Sequence, residues 1–414
     1  MQVLYPRVAG LDVHKITIVA CVRRVIPGGQ AEELVRTFGT MTEDLLKLSD
    51  WLAEHQVTHV AMESTGVLWK PVWNVLEGGE WQLLLVNARE LKQVPGRKSD
   101  VRDSQWIAQL LGCGLLRSSF VPERGQRDLR DLTRHRAQLA SECTRCANRI
   151  HKVLQDANIK LSSVATDVLG VSGREMLAAL VDGETDPEKL ADLARGKLRG
   201  KIPDLQRALQ GHITPHHQFM LEQLLDHLAH LEEQLACFHA RIEEALRPFV
   251  DEATFRRLDA IPGVNKETIQ NVVAEIGVDM QQFPTAGHLA SWAGVCPGNE
   301  ESASKRKRSR TTKGDVWLRR ALCQAAWAAS RTKDSYFQAQ YRRLAGRRGK
   351  KRAAMAVGHS LLEVFYHLLK DPNLEYHDLG GNYFDTLDPQ RLCRHLVKRL
   401  ESLGYQVTIT PAAA

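Results

Sequence analysis

Short runs of apolar and β-branched residues dominate the first ninety positions, and they predict a strand-rich opening. Val8 to Asp12, Ile16 to Arg23 and Glu33 to Phe38 read as three strands, the first two joined by a short turn. Between Thr42 and His55 the period changes, because Leu45, Leu48 and Leu52 fall on one helical face with Thr42 as its N-cap. Val57 to Glu63 then reads as a fourth strand, Val67 to Leu76 as a helix, Trp81 to Asn87 as a fifth strand, and Ser99 to Leu111 as a helix capped by Ser99.

Three antiparallel strands followed by alternating helices and strands are the layout of a ribonuclease H-like α/β domain, a mixed sheet covered by helices. From Leu129 the spacing becomes that of a long helix, with Leu129, Leu132, Arg136, Leu139, Cys143, Cys146, Ile150 and Val153 on one stripe. A second stripe runs from Leu221 through Leu224, Leu228, Leu231, Leu235, Phe238 and Ile242 to Ala245 and stops before Pro248. The two predict a coiled-coil or helical-hairpin seam, within one chain or between subunits. Between them, Ser172 and Glu175 form an expected capping box, and Asp186 with Pro187 an expected helix start. Ala260 to Gly277 reads as a helix-hairpin-helix element, whose hairpin amides contact a phosphate if it is not simply a structural turn. Asp388 and Pro389 open a last amphipathic helix ending near Gly404.

Composition adds little beyond a folded, multi-core protein of 414 residues with 43% hydrophobic and 25% charged positions. No apolar run approaches the roughly 20 residues that cross a bilayer, and the first residues lack the pattern of a secretory signal, so a cytoplasmic location without membrane contact is expected. Of the eight cysteines only Cys143 and Cys146 form a close pair, and no second pair completes a zinc or disulfide framework. Both fall on the helical stripe and read as packing residues. Charge placement is more informative than the total of +7: between Lys305 and Arg352 stand 17 Lys and Arg against Asp315 and Asp334, so the rest of the chain is net acidic. A concentrated basic block is the footprint of a polyanion partner, most simply nucleic acid. Trp317, Leu318, Leu322, Trp327, Tyr336 and Phe337, interleaved with the cations, indicate a folded basic surface rather than a solvated tail.

Four acids stand where chemistry is expected. Asp12 ends the first strand, Glu63 ends the fourth, and Asp100 and Asp103 share one face of the following helix. The first and fourth strands are neighbours in this fold, so topology rather than sequence spacing brings the acids together. Clustered carboxylates repel unless a cation neutralises them, and an oxygen-only set favours Mg²⁺ or Mn²⁺. Taken singly, each acid also suits a blander role: a turn cap, a solvent-facing strand end, or a first-turn helix acid. His14 and Lys15 read as turn residues. The second constellation, GNEESASKRKRSR at 298–310, sets serines among cations, which stabilise charge on a phosphate and favour an alkoxide-like nucleophile. Ser302, Ser304 and Ser309 are all eligible, and hydroxyls in such loops also serve as phosphate anchors.

GLDVHK, AMESTG and KSDVRDS, then IPGVNKETIQNVVAEIG, LASWAGVCPGNEES and KGDVWLRRAL, occur here in an order that resembles the IS one-ten family of insertion-sequence transposases, over roughly residues 6 to 370. These are the DEDD transposases, now understood as bridge-RNA-guided DNA recombinases. The resemblance implies a RuvC-like DEDD domain at 1–125, a coiled-coil and helical region at 126–255, a transposase domain with the serine loop at 256–370, and an extension at 371–414. It further implies that Asp12, Glu63, Asp100 and Asp103 bind Mg²⁺ and that Ser302 is the nucleophile. Ala303 replaces the usual glycine, which leaves Ser304 as the alternative. Donor and target DNA, a non-coding bridge RNA and a homodimer or homotetramer with shared active sites are the implied partners, in a prokaryotic cytoplasm near the nucleoid. Lys305, Arg306, Lys307, Arg308, Arg310, Lys313, Arg319 and Arg320, with the arginines of 124–149, are the expected nucleic-acid contacts. The rival reading is a metal-only nuclease of the Holliday-junction-resolvase type, in which water attacks and the serine only anchors; a non-enzymatic nucleic-acid-binding protein is a further one.

Overall fold

The computed structural model describes residues 3–26, 30–64, 66–87, 100–297, 301–302, 305–306, 311 and 314–409. The chain forms two compact units, Met1–Pro122 and Glu123–Ala414. In the first, β1 (Arg7–Val13), β2 (Thr17–Val25), β3 (Ala31–Gly39), β4 (His59–Glu63) and β5 (Gln82–Val86) make one sheet in the order β3-β2-β1-β4-β5. β1, β2 and β3 pair antiparallel, whereas β4 joins β1 and β5 joins β4 in parallel. This is the mixed ribonuclease H-like sheet that the strand order predicts.

Helices α1 (Thr42–Glu54) and α2 (Trp69–Leu76) cover one face, where Leu48, Leu52, Val72 and Leu76 pack with Leu11, Ile18 and Met62. Helix α3 (Asp100–Gly112) covers the other, with Ile107, Ala108 and Leu111 against Val8, Cys21, Ala61 and Val86. Successive strand residues point to opposite faces, so β1 feeds both cores. Two boundaries move from expectation. Thr42 is not the cap of α1: Met41 occupies that position and no side chain caps the helix. Helix α2 begins at Trp69 rather than Val67, which puts Pro71 in the first turn, where its missing N–H costs nothing. Ser99 lies outside the described residues.

The second unit is helical. α4 (Arg124–Asp156) is a single 33-residue helix, followed by α5 (Val171–Val181), α6 (Pro187–Asp192), α7 (Ile202–Leu209) and the 32-residue α8 (Pro215–Leu246). α4 and α8 run antiparallel: Asp156 meets His217 at 3.0 Å, Cys146 Sγ donates to the Leu224 carbonyl at 3.2 Å, and His135 lies against Phe238. The predicted seam is therefore chain-internal, and Leu139, Cys146, Ile150, Leu154, Leu221 and Leu228 form its core. Cys143 and Cys146 pack there as expected, and burial pushes both thiols up. Asp186 caps α6 through the Glu188 amide, with Pro187 first in the helix. The capping box at Ser172 and Glu175 does not form. Gly170 holds the N-cap of α5, and Arg195 takes both side chains: its amide donates to Ser172 Oγ and its guanidinium pairs with Glu175.

Beyond α8 come α9 (Glu252–Asp259), α10 (Lys266–Ile276) and α11 (Ala286–Trp292), then the two-residue strands β6 (Glu301–Ser302) and β7 (Lys305–Arg306). α12 (Val316–Ala329), α13 (Tyr336–Arg348) and α14 (Lys350–Lys370) follow, with Leu318, Leu322, Phe337, Leu361 and Phe365 buried, so the basic block from Arg319 to Arg352 sits on a folded scaffold. The turn between α9 and α10 ends in an N-cap, Asn265 Oδ1 accepting from the Thr268 amide at 2.9 Å. α15 (Tyr383–Thr386) and α16 (Pro389–Glu401) close the chain, α16 being capped by Asp388. No helix among the described residues is long and apolar enough to cross a membrane.

Candidate active site

β1 and β4 are paired in parallel through Leu11 and Met62, so Asp12 and Glu63 stand one position further on, at the same end of two adjacent strands. Asp12 is 8% exposed; Glu63 is half-buried, and its backbone also pairs with Val86 of β5. Asp103 lies in the first turn of α3, next to the fully buried Ser104. What brings α3 onto β1 is Gly10. A Cβ there would lie 2.3 Å from the Ser104 carbonyl oxygen and 2.5 Å from the Ala108 amide, so only glycine lets the helix cross the strand this closely. The close crossing sits two residues before Asp12 and one after Asp103. Asp100 is the first residue of α3, but its side chain lies outside the described residues.

Three of the four predicted acids thus reach one region of the fold through pairing and packing. The set is composed wholly of carboxylates, the donor chemistry that Mg²⁺ or Mn²⁺ accepts, and Asp12 is buried deeply enough that its charge needs compensation. Among the described residues, which do not include the Asp100 side chain, no group of three or more His, Cys, Asp and Glu side chains closes to ligating range. His14 is a neighbour that sequence reasoning treated as a turn residue: its Nε2 lies 3.1 Å from Asp12 Oδ2. His14 is the first residue past β1 and its amide donates to the Thr17 carbonyl at 2.9 Å, so it is the turn residue expected, with its ring brought back to Asp12. On the far side of α3, Gln105 donates to Glu33 of β3 at 2.9 Å, and Arg23 pairs with the same carboxylate.

The serine segment folds as a hairpin. Ser302 pairs with Lys305 and Glu301 with Arg306, antiparallel, and Pro297 bridges Thr311 at the base. Direct antiparallel pairing sets the Ser302 and Lys305 Cα atoms about 5 Å apart. Ser304, Lys307, Arg308, Ser309, Arg310 and Lys313 lie outside the described residues, as do the side chains of Ser302, Lys305 and Arg306. Arg319 of α12 reaches Thr311 Oγ1 at 3.5 Å and the exposed Arg320 reaches Ser141 Oγ at 3.3 Å.

The expectation that the arginines of 124–149 face nucleic acid needs correction for three of the seven. Arg136 is 1% exposed and bonds Gln270 and Asn271 of α10. Arg130 and Arg134 are spent on Glu275, a carboxylate 2% exposed, and on backbone carbonyls of α10. These three lock α4 to α10, while Arg124, Arg145 and Arg149 are exposed and Arg127 is half-buried. The exposed cations concentrate instead where α13 turns into α14: Arg342, Arg343, Arg347, Arg348, Lys350, Lys351 and Arg352 have no carboxylate partner among the described residues, and Arg343 lies over the Phe384 ring.

Two family models match the chain in order. The DEDD transposase model of the IS110 type, described as transposase, covers residues 9–159, and the model described as transposase of the IS116/IS110/IS902 family covers residues 255–342. The chain belongs to the IS110 family of transposases. The first match holds the acids and α4, and the second holds the serine hairpin and α12. An IS110-family transposase is an enzyme of DNA phosphoryl transfer. A 43.6 kDa protein of insertion element IS110 from Streptomyces coelicolor is 26% identical over 306 residues, 67% of this chain and 72% of that one. The pilin gene-inverting protein of Moraxella bovis is 31% identical over 116 residues, 27% of this chain and 36% of the relative. Among solved structures, Thermus thermophilus RuvC with a Holliday junction substrate aligns at 14% identity and a TM-score of 0.21, over 28% of this chain and all of that one.

Proposed function

We propose that this transposase cuts and rejoins DNA through a covalent phosphoserine intermediate, with Ser302 as the nucleophile and Asp12, Glu63, Asp100 and Asp103 as the acid set. The observation that carries the reading is the register of the hairpin, which pairs Ser302 with Lys305 and so sets the hydroxyl-bearing residue opposite a cationic one. In the first step Ser302 Oγ forms a bond to a backbone phosphorus, its proton passing to a carboxylate of the acid set. The phosphorus–sugar oxygen bond breaks, and the departing oxygen takes up a proton from water. In the second step a sugar hydroxyl of another DNA end attacks the same phosphorus, giving up its proton to water, the phosphorus–Oγ bond breaks, and Ser302 Oγ takes back the proton held by the acid set. The number of phosphoester bonds is unchanged throughout, so rejoining needs no nucleotide cofactor.

Asp12, Glu63, Asp100 and Asp103 would hold Mg²⁺ or Mn²⁺, which supplies positive charge beside the phosphate oxygens. Asp12 on β1 and Glu63 on β4 fix the acid set to the sheet, while Gly10 lets α3 bring Asp103 alongside. The acids belong to the first unit and Ser302 to the second, and the complete site is formed between subunits of a dimer or tetramer. A non-coding RNA of the element selects donor and target by base pairing, and the protein reads its shape and backbone through the exposed cations.

The test is to incubate protein, Mg²⁺, donor DNA and the flanking transcript of the element, then map any protease-sensitive protein–DNA adduct. An adduct at Ser302, absent from Ser302→Ala and Asp12→Asn, is expected. Full-rate cutting by Ser302→Ala without an adduct establishes the metal-only nuclease instead. An adduct at Ser304 moves the nucleophile two residues. Loss of activity without the transcript supports RNA guidance, and unchanged activity removes it.

A further inference from the structure

Both roots of the Ser302 hairpin are fastened, and the fastening leads to a buried ion-pair network. The outgoing root follows α11 through Ala293 and Gly294 to Pro297, and the returning root runs from Thr311 through Gly314 into α12. Gly314 lies flat on the other root: a Cβ there would come 2.2 Å from the Ala293 carbonyl carbon and 2.3 Å from the Gly294 amide. One residue on, Asp315 does two jobs with its two oxygens. Oδ1 accepts from the Leu318 amide at 2.8 Å and caps α12, while Oδ2 accepts from Arg134 of α4 at 3.2 Å. Arg134 is itself held by Glu275 of α10, to which it donates from Nε at 2.8 Å and from its terminal nitrogen at 2.7 Å.

We propose that Arg134 and Glu275 are positioning residues for the serine hairpin, acting through Asp315 to fix the returning root and hence the placement of Ser302. The physical argument is one of rigidity. A two-strand hairpin with two-residue strands is not stable alone, so its aim must come from its roots. A guanidinium that meets a buried carboxylate with two bonds has little rotational freedom left, so the third bond, to Asp315, is delivered from a fixed point. Misplacement of about 1 Å at a nucleophile can cost on the order of a hundredfold in rate. Sequence gives no hint of this, because the contacts join residues 141 and 181 positions apart.

The inference rests on Ser302 being the nucleophile, and the experiment separates the two. Asp315→Asn is the informative variant, because asparagine caps a helix as well as aspartate does but lacks the charge that draws Arg134. In the full-length protein with Mg²⁺, the transcript and saturating donor DNA, the single-turnover rate of adduct formation in Asp315→Asn is expected to fall about tenfold, with the DNA dissociation constant unchanged. Amide hydrogen exchange at Ser302 and Lys305 is expected to quicken in Asp315→Asn and in Arg134→Gln, with α12 amides still protected. Unchanged exchange at the hairpin overturns the positioning role, whatever the nucleophile. Rate and affinity falling together, or Asp315→Asn matching the parent while only Asp315→Ala is slow, also overturns it by reducing Asp315 to a helix cap. Adduct formation by Ser302→Ala, with exchange still responding to Asp315→Asn, discards the nucleophile and leaves the tether standing.

Discussion

Arg134 meets Glu275 with two hydrogen bonds, at 2.8 and 2.7 Å, and Arg130 adds a third contact at 3.2 Å to the same carboxylate. Burial pushes the Glu275 carboxyl up, and the hydrogen bonds from Arg134 oppose that rise. With two guanidinium groups on it, the carboxylate is the charged partner on which this part of the second unit is assembled.

Removing that charge leaves two arginines facing a neutral amide in a buried site. Glu275→Gln should destabilise the protein by about 3–5 kcal/mol, the range for breaking one side of a buried pair. Denaturant unfolding would measure it; a change below about 1 kcal/mol would mean that water replaces the lost carboxylate.

Gly10→Ala places a methyl group inside the Ser104 carbonyl and Ala108 amide contacts. Helix α3 must then lift from β1, and Asp103 moves with it. Metal-dependent cutting should fall at least a hundredfold, with a lower melting temperature. Gly66→Ala is the control for adding a methyl group elsewhere in the same unit. Its glycine has open space around it, although the positive φ of 55° carries a modest strain of its own, so cutting should be close to the parent's.

Charge at the turn between α13 and α14 should govern affinity rather than chemistry. Replacing Arg347, Arg348, Lys350 and Lys351 with glutamine is expected to weaken nucleic-acid binding across sequences alike. If all four contact phosphates, the slope of log affinity against log salt should shrink by up to about 0.9 per lost contact on duplex DNA. A salt titration with an unchanged slope would show that these cations face only solvent.

The thiols report on the first core. Cys21 lies on β2 between the sheet and α3, and burial, first, with the nearby Glu33 carboxylate, pushes its thiol up to about 12. The folded protein then holds that proton where the unfolded chain, ionising near pH 8.5, releases it. Stability from this group is therefore intact below about pH 8.5 and declines as pH rises toward the folded value, by at most about 1.4 kcal/mol per pH unit. Alkylation at pH 8 should modify the exposed Cys237 and Cys393 promptly and spare Cys21 until the protein unfolds. Rapid labelling of Cys21 in folded protein would contradict the packing of α3 on the sheet.

The sheet was legible because its strands are written locally, as β-branched runs each closed by a polar turn, and Asp12 and Glu63 stand where such runs end. The seam was legible for the same reason, since Leu221 to Ile242 repeats within one helix. What escaped was pairing at a distance. Arg134, Glu275 and Asp315 are each unremarkable in their own segments, and only the packing of α4 on α10 and α12 makes them one network. Ser172 and Glu175 show the converse: a local pattern that predicts a capping box was overridden because Arg195, twenty residues on, offers both side chains a stronger partner. The acids' convergence could be inferred only through the topology, which names neighbouring strands without giving distances.

Helix α4 is about 50 Å of unbroken rod, docked on α10 through Arg130, Arg134 and Arg136 along its first half and on α8 from His135 onward, chiefly through Cys146, Ile150 and Leu154 along its second. The two halves are keyed to each other like the bits of a single shaft. One residue inserted between Arg136 and Cys146 would turn one set of teeth by about 100° relative to the other. A change in the length of this stretch keeps both fits only when it comes close to whole turns, whereas the lobe between Asp156 and His217, whose ends touch, can change length without disturbing that phase.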